Sequence, residues 1–113
     1  MVVQRYMHKP YLIDGYKFDL RIYVNVTGIN PLRVYVYQDG LARFATVKYQ
    51  SPAPSNLHNL CMHLTNYAIN KDSAAFVQNS EVDQDGIGSK RSYLWVLKKI
   101  KEDFGLEKMK EVR

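Results

Sequence analysis

An α+β domain with an antiparallel sheet and a C-terminal helix is the fold class this sequence predicts, on three observations. Tyr16 to Val24 alternates polar and apolar side chains, the period of a strand. Leu32, Val34 and Val36 alternate in the same way farther on. Tyr93, Leu97, Ile100 and Phe104 then recur at the spacing of one helix face.

Taken in order, Pro10-Tyr-Leu-Ile followed by Asp14-Gly15 reads as a short strand and a tight turn. The turn leads into a long strand from Tyr16 to about Val26. The strand around Leu32 to Val36 meets Asp39-Gly40, a two-residue hairpin signal, so Leu41 to Thr46 is expected to return antiparallel to it. That return strand carries Arg43, and short connections bring it beside the Lys17 to Arg21 strand if pairing follows sequence order. Ser51-Pro-Ala-Pro-Ser-Asn is a loop, and Cys61 to Ile69 is a second ordered stretch. Gln78 to Ser89 is polar and expected to be mobile. Ser92 is a candidate cap for the helix from Tyr93, and Gly105 a candidate stop. Leu106, Met109 and Val112 begin a further helical pattern. That pattern stops before it can bury much surface, and Val2-Val3-Gln4 has nothing ahead of it to pair with. The chain is therefore expected to be part of a larger unit.

At 113 residues and 13.2 kDa, with 46% hydrophobic and 12% aromatic residues, the chain suits one packed domain and not a disordered one. Its formal charge of +5 favours polyphosphates, nucleic acids or carboxylate-rich peptides as partners, or reflects no charge-selected partner at all. Cys61 is the single cysteine, which excludes an internal disulfide and is expected to be a buried, inert thiol in a reducing compartment. No apolar run approaches the roughly 20 residues that span a bilayer, and no targeting segment opens the chain, so a cytosolic location is expected. Asn25-Val26-Thr27 matches a glycosylation acceptor by chance, since it falls inside a strand pattern.

The residues that bear chemistry are few. No glycine-rich nucleotide fingerprint, phosphate-loop lysine or paired-cysteine metal spacing occurs. Glu81, Asp83, Asp85 and Gly86 match part of a calcium loop, but Ser92 stands where the late glutamate belongs, which argues against calcium. His58 and His63 lack carboxylate or cysteine partners at ligand spacing and read as ordinary hydrogen-bonded histidines. Cys61 and His63 would share a face on a strand, yet no orienting group supports a thiolate nucleophile. What remains is Lys17, Asp19 and Arg21 on one strand face, with Arg43, Thr65, Asn66 and Lys71. Guanidinium forks suit bidentate binding of carboxylate or phosphoryl oxygens, and lysine adds a point charge. Spacing alone leaves two readings open. One is an anion site; the other, more economical because surface ion pairs are common, pairs Asp19 with Lys17 or Arg21 on a solvated face.

Four blocks bear on that choice: Val3-Gln-Arg-Tyr-Met-His-Lys-Pro-Tyr-Leu-Ile, Lys17-Phe-Asp-Leu-Arg, Tyr37-Gln-Asp-Gly-Leu-Ala-Arg-Phe-Ala and His63-Leu-Thr-Asn-Tyr-Ala-Ile-Asn-Lys. In that order, and with Ser89-Lys-Arg-Ser, they resemble the tubulin tyrosine ligase-like family. The Cys61-Met-His-Leu-Thr-Asn version resembles its polyglutamylase branch. The resemblance implies a partial ATP-grasp domain, with residues 1–113 its central part and incomplete at both ends. It implies that Gln4, Arg5, Tyr6 and Met7 line the adenine, largely through backbone groups. Lys17 and Asp19 match nucleotide-contacting positions, and Thr65 and Asn66 match polar contacts at the nucleotide. Arg21 and Arg43 match arginines that face the terminal phosphate and the acceptor carboxylate.

The implied cofactors are ATP and Mg2+, the metal ligands being expected outside this segment, as are the earlier phosphate-side lysines. The implied partners are the acidic C-terminal tails of tubulin or microtubules, with glutamate as the added amino acid and neither nucleic acid nor membrane. The implied location is cytoplasmic, at the cytoskeleton, cilium or basal body. The implied reaction is ATP-dependent ligation of glutamate through an acylphosphate, carried out by a longer parent protein while this segment alone is inactive. Two competing readings are a non-catalytic basic module that binds acidic tubulin tails, and a single-strand nucleic-acid binder whose tyrosines stack on bases.

Overall fold

The computed structural model describes residues 1–78, 86 and 88–112. Four antiparallel strands run in the order β1-β2-β3-β4, followed by helices. Glu81, Asp83 and Asp85 of the calcium-loop motif lie outside the described residues, as does most of the polar stretch from Gln78 to Ser89.

β1 (Leu12–Ile13) pairs with the start of β2 (Tyr16–Ile29), Leu12 opposite Lys17 and Ile13 opposite Tyr16. The turn between them forms where it is expected. Asp14 has φ 53° and Gly15 φ 82°, the two positive values a two-residue hairpin turn requires.

β3 (Leu32–Phe44) differs from expectation. Asp39-Gly40 makes no turn; the strand runs straight through it, and the reversal between β2 and β3 is at Asn30-Pro31. Two long strands replace the expected three-strand meander, and β2 extends three residues beyond the predicted end at Val26. The glycine serves close approach instead of chain reversal, because a Cβ at Gly40 would run into the Arg21 carbonyl oxygen. Asp39 has a distant task, described below.

The chain divides into two compact units, residues 1–18 with 44–76, and residues 19–43 with 77–112. In the first, Ile13, Phe44, Ala45 and Met62 are buried, and Phe18 stacks on Phe44 at 5.3 Å between ring centroids. Two one-turn helices, α1 (Leu60–His63) and α2 (Tyr67–Asn70), stand where the ordered Cys61 to Ile69 stretch is expected. Cys61 and His63 are thus helical neighbours, not strand residues on one face. Cys61 is half-buried and not fully buried, its thiol 3.7 Å from the Ile69 carbonyl oxygen.

In the second unit β4 (Lys90–Ser92) pairs with β3, Leu41 opposite Ser92, Ala42 opposite Arg91 and Arg43 opposite Lys90. α3 (Tyr93–Phe104) follows immediately, and α4 (Leu106–Val112) packs against it. Ser92 caps α3 as expected, its hydroxyl accepting from Trp95 N–H at 3.0 Å. The carboxylate of Asp39 accepts from Leu94 N–H at 3.2 Å, so a second orphan donor of the same helix is satisfied from β3. Gly105, at φ 87°, ends the helix. Tyr93, Val96, Leu97 and Ile100 form the buried face. Phe104 was expected on that face but is 58% exposed, because spacing puts a side chain on a stripe and only a covering element buries it. Ser92→Ala is expected to cost about 1 kcal/mol, less than the loss of both caps, because Asp39 remains. Thermal unfolding of the variant checks this.

The outer half of the β2–β3 hairpin is exposed: Val24 is 56% and Val36 61% accessible. On β2 the residues from Tyr16 to Leu20 are half-buried on both faces, and those from Arg21 to Thr27 are exposed. No helix among the described residues is long and apolar enough to cross a membrane.

Candidate active site

Each unit assembles a set of the sequence-predicted residues. In the second unit Asp19 and Arg21, two apart on β2, share a strand face by alternation, and Arg43 comes from the end of β3. The Arg43 guanidinium grips the Asp19 carboxylate along one edge with two donors: Nε donates at 3.0 and 3.2 Å and Nη2 at 2.7 Å. This bidentate fork fixes the guanidinium plane, which a single contact would leave free to swing. The Asp19 hydrogen bond raises the Arg43 pKa above its ordinary value while burial opposes it, so the group is cationic throughout the working pH range. Both side chains are part-exposed, at 22% and 34%. Arg21 is exposed.

Arg43 lies beside Asp19 as expected, but through a different turn from Asp39-Gly40. Antiparallel pairing across Asn30-Pro31 produces that neighbourhood, and Asp19 takes Arg43, a partner the spacing argument did not name.

In the first unit the ammonium of Lys17 donates to the Tyr6 hydroxyl at 3.2 Å and to the His63 carbonyl oxygen at 2.7 Å. It also sits 4.4 Å from the centroid of the Tyr6 ring. Lys17 is half-buried, and Tyr6 is 36% exposed. Gln4, Arg5 and Met7 lie in an extended, exposed segment with no regular structure, so the structure groups only Tyr6 of those four with Lys17. His58 is exposed and His63 buried, which separates the two histidines considered as a metal pair.

Thr65 is buried, and Asn66 is exposed at the start of α2. Both are held by a residue that motif reading passed over. Asn70 is 1% exposed and makes four hydrogen bonds. Its Oδ1 accepts from Thr46 N–H at 3.0 Å and Thr46 hydroxyl at 2.9 Å; its Nδ2 donates to the Leu64 and Asn66 carbonyl oxygens at 2.8 and 3.1 Å. The chain on either side of Thr65 is thereby tied to the residues following β3. Asparagine is common in loops, so its type alone carried no signal of this burial.

With this geometry in hand, comparison with known proteins identifies the chain. A model of the tubulin-tyrosine ligase family matches residues 1–111. The chain belongs to the tubulin-tyrosine ligase family. Its relatives include a probable beta-tubulin polyglutamylase of Tetrahymena thermophila, 54% identical over 101 residues, covering 89% of this chain and 8% of that protein. Tubulin polyglutamylase TTLL13 of Mus musculus is 55% identical over 91 residues, covering 80% of this chain and 11% of the mouse protein. Tubulin polyglutamylase ttll6 of Danio rerio is 52% identical over 107 residues, covering 95% and 13% respectively. The chain thus spans about a tenth of the length of these relatives.

Within this tubulin-tyrosine ligase family segment no three His, Cys, Asp or Glu side chains among the described residues gather as metal ligands. His63 is hydrogen-bonded, as its reading from sequence expects, with Tyr6 and Asn56 at its ring and Lys17 at its carbonyl as partners. A signal for that lay in the sequence only as the closeness of His63 to Thr65-Asn66.

Proposed function

We propose that this chain is the central part of an ATP-grasp catalytic domain that ligates glutamate to glutamate side chains of tubulin tails. Relatives at 52–55% identity carry the name polyglutamylase, among them proteins of mouse and zebrafish and a probable one of Tetrahymena. The observation that carries the chemical reading is the Asp19–Arg43 fork. A guanidinium held bidentate by a carboxylate is preorganised, with further N–H groups left to bind oxyanions.

The reaction proceeds in two balanced steps. An acceptor carboxylate oxygen attacks the terminal phosphorus of ATP, the bond to the bridging oxygen breaks, and ADP leaves. The resulting acylphosphate is then attacked at its carbonyl carbon by the amine of free glutamate, which loses a proton as phosphate departs and an amide forms. Both steps gather negative charge on oxygens. Arg21 and Arg43 are assigned to that charge, which they stabilise more in the transition state than in the ground state. Lys17 and Asp19 are assigned to the nucleotide with Thr65 and Asn66, and the Gln4 to Met7 segment to the adenine. Magnesium, held by residues outside this segment, would neutralise the phosphates. The protein acts at the cytoskeleton under this reading.

The alternative is a non-catalytic basic module that holds acidic tails, favoured by the exposure of Arg21 and the charge of +5. Incubating the full-length protein with ATP, glutamate and microtubules separates the two. Incorporation of glutamate into tubulin with matching ADP release is the expected result. Tail binding without incorporation would favour the module. The 113-residue chain alone is expected to turn over nothing, and robust activity from it would contradict its assignment as an incomplete part.

A further inference from the structure

Among the buried groups that this mechanism leaves without a task, His63 stands out, because both of its ring nitrogens are engaged and it is 5% exposed. Its Nε2 lies 3.2 Å from the Asn56 carbonyl oxygen and 3.2 Å from the Asn56 side-chain oxygen. A backbone carbonyl can only accept, so Nε2 carries a proton, which leaves Nδ1 as the ring atom able to accept. The Tyr6 hydroxyl is 3.3 Å from Nδ1 and 3.4 Å from the His63 carbonyl oxygen, so His63 offers its proton two acceptors. With that proton turned toward His63, the Tyr6 oxygen has a lone pair to offer, and the Lys17 ammonium donates to it at 3.2 Å. A directed chain results: Lys17 to Tyr6 to His63 to Asn56.

Two further contacts stiffen it. The His63 backbone carbonyl accepts directly from Lys17 at 2.7 Å, so ring and main chain of one residue act on the same ammonium. Tyr6 and Tyr49 both meet the imidazole edge-on, each at 5.9 Å, with interplanar angles of 84° and 87°, so the ring is clamped between two aromatic neighbours. Burial raises the Tyr49 pKa above its usual value, followed by its hydrogen bond to Tyr6, so this neighbour stays neutral and brings no charge to the cluster. Lysine otherwise swings on a flexible four-carbon stem, and its head is placed only by what holds it.

We propose that His63 is a positioning residue that sets the Lys17 ammonium for the nucleotide by fixing the donor direction of the Tyr6 hydroxyl. This rests on the assignment of Lys17 to ATP binding made above and adds to it a residue that itself touches no nucleotide. It identifies the imidazole Nδ1, not the bulk of the ring, as the working atom.

The test is a mutant cycle in the full-length protein, read as KM for ATP, kcat and thermal midpoint. Tyr6→Phe removes one hydroxyl from a part-exposed ring and keeps the backbone. It is expected to raise KM for ATP about tenfold with kcat within about threefold, the pattern of lost uniform binding through a charged hydrogen bond. His63→Ala is expected to do the same. His63→Asn, whose side-chain oxygen reaches the Nδ1 position, is expected to recover most of the loss, whereas His63→Gln, which reaches the Nε2 position, is not. On a Lys17→Met background neither Tyr6→Phe nor His63→Ala should raise KM further, because each acts through the lysine.

If the effects multiply on that background, or if Asn recovers no more than Gln, His63 does not position Lys17 and the inference is overturned. Should His63→Ala fail to fold, Tyr6→Phe alone and on Lys17→Met decides the matter. If Lys17→Met leaves KM for ATP unchanged, the nucleotide assignment of Lys17 itself has failed and the positioning role falls with it. That result is distinct from one in which Lys17→Met raises KM and the His63 variants do not.

Discussion

Arg43→Ala in the full-length protein is expected to lower kcat for glutamate ligation by about 100- to 1,000-fold, the usual loss when one preorganised group facing a developing oxyanion is removed. The structural basis is the fork on Asp19. Because Nε and Nη2 are both committed to one carboxylate, the guanidinium plane is set before substrate arrives, and no ordering remains to be done at the moment of reaction. Stability should barely change. The pair is 22% and 34% exposed, so solvent screening limits its contribution to less than about 1 kcal/mol. A large fall in kcat with a thermal midpoint within a few degrees of the parent is therefore the diagnostic combination.

Arg43→Lys keeps the charge but cannot make the fork, and an intermediate loss of kcat is expected. Asp19→Asn keeps the shape and weakens the grip, with a similar intermediate effect. Arg21→Ala should resemble Arg43→Ala in kcat, since both arginines are assigned to the same charge. A non-catalytic tail binder behaves differently. There, each arginine would contribute an incremental, salt-dependent share of affinity, and neither replacement would act on an ATP-dependent rate. Steady-state incorporation of labelled glutamate measures the first outcome, and tail binding at two salt concentrations the second.

Asn70→Ala is the change expected to cost most in stability, roughly 2–4 kcal/mol. It strips four hydrogen bonds from a side chain that is 1% exposed. Thr46, itself 7% exposed, loses the acceptor for both its amide and its hydroxyl. The carbonyls of Leu64 and Asn66 lose a donor, although the second keeps the amides of Ile69 and Asn70. Buried groups left unpaired forfeit their hydration with nothing in return, and that asymmetry makes the loss larger than the net value of the bonds.

Asn70→Asp discriminates further. It keeps an oxygen for Thr46 but turns a second oxygen toward two carbonyls and brings a charge into a buried site, so it should be no better than alanine. Hydrogen exchange at the Thr46 amide reads the effect locally, as a fall in protection corresponding to the same roughly 2–4 kcal/mol. Since Thr65 and Asn66 lie between the carbonyls that Asn70 ties down, KM for ATP should rise in parallel. Protection at Thr46 equal to the parent would show that Asn70 is dispensable.

What could be read from the chain without coordinates was whatever a few neighbouring residues decide among themselves. Asp14-Gly15 makes its turn because positive φ is a local preference. α3 begins at Ser92 and ends at Gly105 because caps answer backbone groups only a turn away. Family membership was equally legible, since four separated blocks in order are a property of the text. The tertiary structure decided what depends on residues distant in sequence. Asp39-Gly40 has the composition of a turn, yet Gly40 is there for the Arg21 carbonyl and Asp39 for the Leu94 amide, 55 residues on. The Thr46 partner of Asn70 and the Tyr6 partner of His63, at separations of 24 and 57 residues, were invisible for the same reason. Caps and turns satisfy donors within a few bonds of themselves, whereas a buried amide or imidazole has no preference of its own and takes whichever unpaired group the folded chain delivers to it.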